Sequence, residues 1–497
     1  MTLGLVPVYL RYLGMEAYGL IGLLATLQAT LSVLDLGLST TLNRELARLS
    51  VQPEKAADAR NLVRTLEAPY WILASLIAVV AVTLVPWLAL NWLQAQTLPR
   101  ETIWRAVATM GLITALQFPF ALYSGGLLGL QRHVLLNIVI CIVAVVRGVG
   151  AVLVLWLVSP TIEAFLLWQL TITAVQTVAG CCALWHSLPR SGVRPQFRRE
   201  VLLEIWRFAT GVTGISILAT ILLQIDRIVL SRILSLKLFG YYVLAATVAS
   251  SFFVVVAPIS SAVFPRLSQL VAKGDEDGLK KLYHQSCQLL AVLVLPAAIV
   301  LALFSREVLS LWTRDAQVAE HACLIVSLLV TGMAMGALLH IPYALQMAYG
   351  WTSLTFYLNL AAIVFLVPAM IWSTVHYGAA AAAATWIALF LGMILVGIHF
   401  MHKRLLKTEK RHWYLQDVIL PLIGPATVGV LGRWLFPTQS SPVVQIICLA
   451  SISTLALSAS VLMTPTTADA LRAWAHSSQP RTIADTSRKP EFKAHDL

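Results

Sequence analysis

Arg11-Tyr12-Leu13-Gly14-Met15-Glu16-Ala17-Tyr18-Gly19 returns 221 residues later as Arg232-Ile233-Leu234-Ser235-Leu236-Lys237-Leu238-Phe239-Gly240. The match continues in register, as Leu23, Ala25 and Thr26 fall on Leu244, Ala246 and Thr247, and Leu136-Asn137 recurs at Leu358-Asn359 with almost the same offset. Leu and Ala matches are cheap in an apolar chain, but the Arg and Gly matches are not. Each copy is a polar turn that opens on Arg and closes on an aromatic-Gly pair, where a long apolar stretch begins. A unit written twice in such a chain predicts two packed halves with a cavity between them.

Composition fixes the solvent. Charged residues are 12% of the chain and apolar residues 59%, against about 25% charged in soluble domains. The chain therefore reads as an all-α integral membrane protein. Apolar runs of spanning length, about 20 residues, lie near 18–42, 70–92, 106–130, 134–158, 162–186 and 208–234. They continue near 241–263, 287–304, 323–345, 353–375, 379–400, 417–435 and 443–463. Taking the short run 3–10 as the end of a first helix gives about 14 transmembrane helices, with both termini on one side. The six cysteines lie inside apolar runs without CxxC spacing, as small buried hydrophobes do.

Placing the 43–67 loop in the cytoplasm and alternating from there puts 25 Lys and Arg on the cytoplasmic side and 8 opposite, with Arg147 and Arg227 inside spans. That bias obeys the positive-inside rule, which one missed helix would spoil. The net charge of +12 thus belongs to a membrane surface with anionic lipids, not to a nucleic-acid partner. Six spans separate the two copies, so both halves enter the membrane in the same orientation. The predicted organisation is an N-lobe over 1–186 (helices 1–6, the first incomplete) and a basic cytoplasmic linker over 187–207. A C-lobe over 208–402 (helices 7–12), additional helices 13 and 14 over 403–463 and a disordered cytoplasmic tail over 464–497 complete it. Residue 1 matches Leu222 in the repeat, so the first helix is expected to be truncated, with the biological start upstream.

Arg-X-Leu-Gly-X-X-X-Tyr-Gly followed by Leu34-Asp35-Leu36-Gly37-Leu38-Ser39 resembles the start of Wzx-like polysaccharide flippases. These are the polysaccharide transporter branch of the multidrug/oligosaccharidyl-lipid/polysaccharide (MOP) superfamily. Gln224-Ile225-Asp226-Arg227, Gly240-Tyr241-Tyr242, Ala257-Pro258-Ile259-Ser260 and Val263-Phe264-Pro265-Arg266-Leu267-Ser268 are similar to the family's second lobe. The resemblance covers Leu3 to about residue 463. It implies a MOP/MATE-like fold of two parallel six-helix lobes around a central cavity. It also implies transfer of undecaprenyl-pyrophosphate-linked oligosaccharide from the cytoplasmic to the periplasmic leaflet of the inner membrane, with a chain polymerase of the same pathway as a partner. No cofactor is implied.

A pyrophosphate crossing hydrocarbon needs a positive partner, and an ionisable residue within a span is costly enough to suggest function. Arg147, mid-span in Val145-Val146-Arg147-Gly148, is the candidate substrate-binding residue, since a guanidinium grips phosphate oxygens without losing its charge. A structural ion pair with a nearby acid is the competing role, and Asp35 is the obvious acid. Asp35, Asp226 and Arg227 are the candidate ion-pair or coupling residues, for H+ or Na+ if transport is coupled. Asp226-Arg227 lies near a helix end, where charged side chains can reach the interface. Arg11 and Arg232 read as interfacial anchors. The histidines show no HExxH spacing, so no metal is expected. Over 264–283, Leu267, Leu270, Val271, Leu279 and Leu282 interleave with charge and predict helices lying on lipid headgroups.

Three classes compete. The lipid-linked oligosaccharide flippase leads. A cation-coupled exporter of drugs or metabolites, which would want cavity acids without an arginine, and a lipid II-type flippase are the alternatives within the superfamily. An enzyme of polysaccharide assembly would need a large external loop with catalytic polar residues, and the loops near 93–105 and 305–322 are short.

Overall fold

The computed structural model describes residues 2–84, 87, 91–190, 192–200, 220 and 222–464. Among these residues it is helical throughout, with a single isolated bridge pairing Gln94 with Ser235. Eleven stretches are long and apolar enough to cross a membrane. Several of them hold more than one helix. Leu3–Asp35 is divided at Gly14 (φ 78°, ψ 173°) and Ser353–Arg404 at Gly378 (φ 73°, ψ −160°), both conformations that favour glycine. The expected span near 208–234 is described only at residue 220 and over 222–234. Residues 201–207 of the linker and 465–497 of the tail lie outside the described residues.

The repeated phrase marks a helix break in both copies. Gly14 breaks the first, and its counterpart Ser235 caps the helix Leu236–Ser250, its hydroxyl accepting from the Leu238 N–H at 3.4 Å. The helices that follow pack on each other through the phrase itself. A Cβ on Gly19 would lie 2.6 Å from the Leu236 carbonyl oxygen, and one on Gly240 would lie 2.4 Å from that of Met15. Met15 matches Leu236 in the repeat and Gly19 matches Gly240, so the contact is reciprocal, as across a two-fold axis. Gly22 meets Val243, its own repeat partner. Thr26 and Thr247, also partners, donate to the carbonyls of Gly22 and Val243 at 2.9 and 2.8 Å. Small residues let membrane helices approach this closely, so the duplicated glycines are the contact itself.

By contact, the chain divides into two compact units. The first comprises Met1–Val254, Leu301–Leu339 and Gly350–Met401; the second comprises Val255–Val300, His340–Tyr349 and His402–Leu497. In the first, Arg100–Gly129 is a central helix, with most of its most apolar stretch buried. The helix His133–Leu157 shows how lipid and protein share one segment. Val134, Ile138, Ile142, Val145, Val149, Leu153 and Trp156 are exposed at helical spacing, whereas Leu136, Val143, Gly148, Ala151 and Leu155 are buried. In the second unit, Gly424 lies against Ala459, joining Leu420–Leu435 to Pro442–Met463.

Two expectations change. The run 18–42 is not one helix: Leu36 (φ 49°) and Gly37 (φ 75°) adopt left-handed backbone and separate Ser32–Asp35 from Leu38–Ser50. Leu267, Leu270 and Leu279 are buried in the ends of Phe253–Lys273 and Glu276–Leu303, which meet at Gly274. Their apolar stripe extends two membrane-length helices and packs against protein, where separate surface helices were expected.

Candidate functional site: the intramembrane charges

Asp35 stands at the break after the Ser32–Asp35 turn, where the helix stops and a side chain can turn inward. Its carboxylate accepts from the Tyr70 hydroxyl and, at 2.8 Å, from the Ser39 hydroxyl. It borders a cavity of about 310 Å³ with Gln28, Ser39, Thr114, Gln117 and Phe118. Gln28 donates to Gln117 across this space at 2.5 Å. No basic side chain lines the cavity among the described residues. The site offers one carboxylate and several neutral polar groups, the chemistry of a small cation or a hydroxyl-rich ligand.

Arg147 continues the buried positions Val143, Ala151 and Leu155 of its helix, away from the lipid-facing stripe. Its Nη2 donates to Gln176 Oε1 at 2.5 Å and to Thr173 Oγ1 at 3.5 Å. Its own carbonyl accepts from Trp168 Nε1 at 3.2 Å, which ties the residue's backbone to the next helix. Nε is buried without a partner. Asp35 and Arg147 are not paired: each is held by neutral groups, and no carboxylate bridges Arg147 among the described residues. The standing ion pair is therefore replaced by a guanidinium whose charge is uncompensated.

Asp226 does not reach an interface. It is 4% exposed and accepts from Tyr242 Oη at 2.8 Å, Trp386 Nε1 at 3.3 Å and the Arg227 N–H at 2.7 Å. Trp386 also reaches the Tyr242 oxygen at 3.3 Å. Arg227 beside it is half-buried, and its guanidinium has no hydrogen bond or ion pair among the described residues. Arg232 lies over the Trp92 ring at 5.8 Å and donates to the Trp92 carbonyl at 3.4 Å, while Arg11 is exposed.

Sequence reasoning missed the neutral partners: Tyr70, Gln28 and Gln117 at one centre, Thr173 and Gln176 at another, Tyr242 and Trp386 at the third. Gln176 carried a signal, being an amide in an otherwise apolar span, and so did the tyrosine pair after Gly240. Tyr70 carried none.

The model of a family described as "Polysaccharide biosynthesis protein" matches residues 8–316. A Shigella flexneri protein named "Putative O-antigen transporter" is 23% identical over 377 residues, which are 76% of this chain and 87% of that protein. Among solved structures, an inward-facing multidrug resistance MATE family transporter of the MOP superfamily superposes with a TM-score of 0.66 at 14% identity. The match covers 78% of this chain and 90% of the other. The lipid II flippase MurJ, in an inward closed conformation, gives 0.64 at 10% identity, over 95% and 100%. At such identities the structures speak for the fold, and the matched family model spans both copies of the phrase. The chain belongs to this polysaccharide biosynthesis family, as a multi-pass membrane protein that shares its fold with transporters of the MOP superfamily.

Proposed function

We propose that this protein flips undecaprenyl-pyrophosphate-linked oligosaccharide from the cytoplasmic to the periplasmic leaflet of the inner membrane for surface polysaccharide assembly. Lobes 1–186 and 208–402 alternate access to a central cavity, helices 13 and 14 over 403–463 are accessory, and both termini are cytoplasmic. The carrying observation is Arg147. A permanent charge on the inward face of a span, with amide and hydroxyl partners and a free Nε, is an expensive group that a phosphate would satisfy. Asp35, beside a polar cavity, is the coupling site for H+ or Na+, and the polymerase of the same pathway takes the delivered unit. The family match and the O-antigen relative support this reading.

One observation favours export of an organic cation instead: the Asp35 cavity is lined by an acid and no base among the described residues. A lipid II-type cargo is the third possibility, given the fold shared with MurJ. Purified protein in proteoliposomes separates them. A pyrophosphate-linked saccharide lipid is expected to become accessible to an impermeant probe in the opposite leaflet, and organic-cation uptake is expected to stay at the background of empty vesicles. Cation uptake without lipid transfer would overturn the proposal, and transfer confined to peptide-bearing lipid would reassign the cargo.

A further inference from the structure

We propose that His284, Glu409 and His412, all in the second compact unit, form a binding site for a divalent transition-metal ion of the zinc type. The sequence shows no metal spacing because the donors come from two segments 125 residues apart. His284 is buried on Glu276–Leu303; Glu409 and His412 stand three residues apart at the start of the stretch Lys410–Leu435, on one helical turn. One donor atom from each lies within 4.8 Å of the others.

The surroundings fix the histidine for this task. Asp417, fully buried, meets His284 Nδ1 at 2.5 Å and accepts from Gln288 Nε2 at 2.8 Å. With Nδ1 engaged by Asp417, Nε2 faces Glu409 Oε2 at 3.3 Å. That separation is the one expected of two ligands on a single tetrahedral ion with bonds of about 2.0 Å. The His412 ring, with its centroid 4.1 Å from that of His284, adds a third donor. Two imidazoles and a carboxylate leave one open position in a tetrahedral zinc shell, and a carboxylate behind the ligating ring is the usual support for such a histidine. Lys280 Nζ approaches the other Glu409 oxygen, Oε1, at 3.8 Å, so Oε2 stays available. The Asp417-bearing segment Trp413–Ile419 is π-helical, an irregularity frequent at functional sites.

The test is calorimetric titration of Zn2+ into chelator-treated, untagged protein in detergent, with Co2+ absorption in the visible range reporting the ligand geometry. Wild type is expected to bind one ion at micromolar affinity or tighter. His412→Ala and Glu409→Gln, both at partly exposed side chains, are each expected to weaken binding at least ~10-fold, and Asp417→Asn by about 10–100-fold. Gel-filtration profile and thermal midpoint show that the variants are folded, and neither readout depends on transport. Absence of Zn2+ binding by wild type, or unchanged affinity in either His412→Ala or Glu409→Gln, overturns the proposal.

Discussion

Asp35 and Asp226 are both carboxylates inside membrane spans, and each is gripped by a tyrosine. Beyond that they differ. Asp35 opens on a cavity, at a helix break, with a flexible hydroxyl as its second partner. Asp226 is closed in by Tyr242, Trp386 and its own helix backbone. A charge that can meet solvent can exchange an ion, while one sealed among aromatic donors organises its neighbours. On the proposed function, transport chemistry falls to the first and fold maintenance to the second.

The largest effect should therefore come from Asp226→Ala. It strands the Tyr242 hydroxyl proton in the interior and leaves the Trp386 N–H only the Tyr242 oxygen, at a cost of about 2–3 kcal/mol. A fall in thermal midpoint and in membrane abundance would register it. Asp35→Asn should do the opposite, lowering transport at least ~10-fold, about 1.4 kcal/mol in the barrier, with the midpoint little moved. A folded Asp226→Asn protein that had lost transport, beside an active Asp35→Asn, would invert the assignment. Tyr70→Phe removes one grip on Asp35 and is expected to cost about 1 kcal/mol of stability, measurable by denaturation in mixed micelles. Ser39→Ala, at the cavity edge where water can substitute, should cost less than about 0.5 kcal/mol, and a larger loss would mean that Asp35 is as closed as Asp226.

Much of this was legible in the sequence, because in lipid every backbone polar group must be satisfied within a helix. Apolar runs consequently map onto helices. The duplicated phrase also proved to be a physical contact, since Gly19 and Gly240 are where the two copies touch. What could not be read were breaks inside an apolar run and partners across the fold. Leu36-Gly37 lies within a run apolar enough to read as one span, and the left-handed backbone there ends the helix. Asp226 looked like an end-of-helix charge because hydropathy does not reveal that Tyr242 and Trp386, the latter 160 residues away, close over it. Asp35 and Arg147 invited pairing as opposite charges in poor surroundings, yet neutral amides and hydroxyls hold each one.

The central claim is that Arg147 carries the phosphates of a lipid-linked saccharide across the membrane. Spheroplasts lacking the native gene and every redundant flippase, complemented with wild type or Arg147→Ala at matched abundance, test it directly. The measurement is labelling of lipid-linked saccharide in the outer leaflet by an impermeant lectin. Wild type is expected to restore labelling, and Arg147→Ala to leave at least ~90% of the saccharide inside, a tenfold loss equivalent to about 1.4 kcal/mol. Equal labelling by wild type and Arg147→Ala would contradict the account.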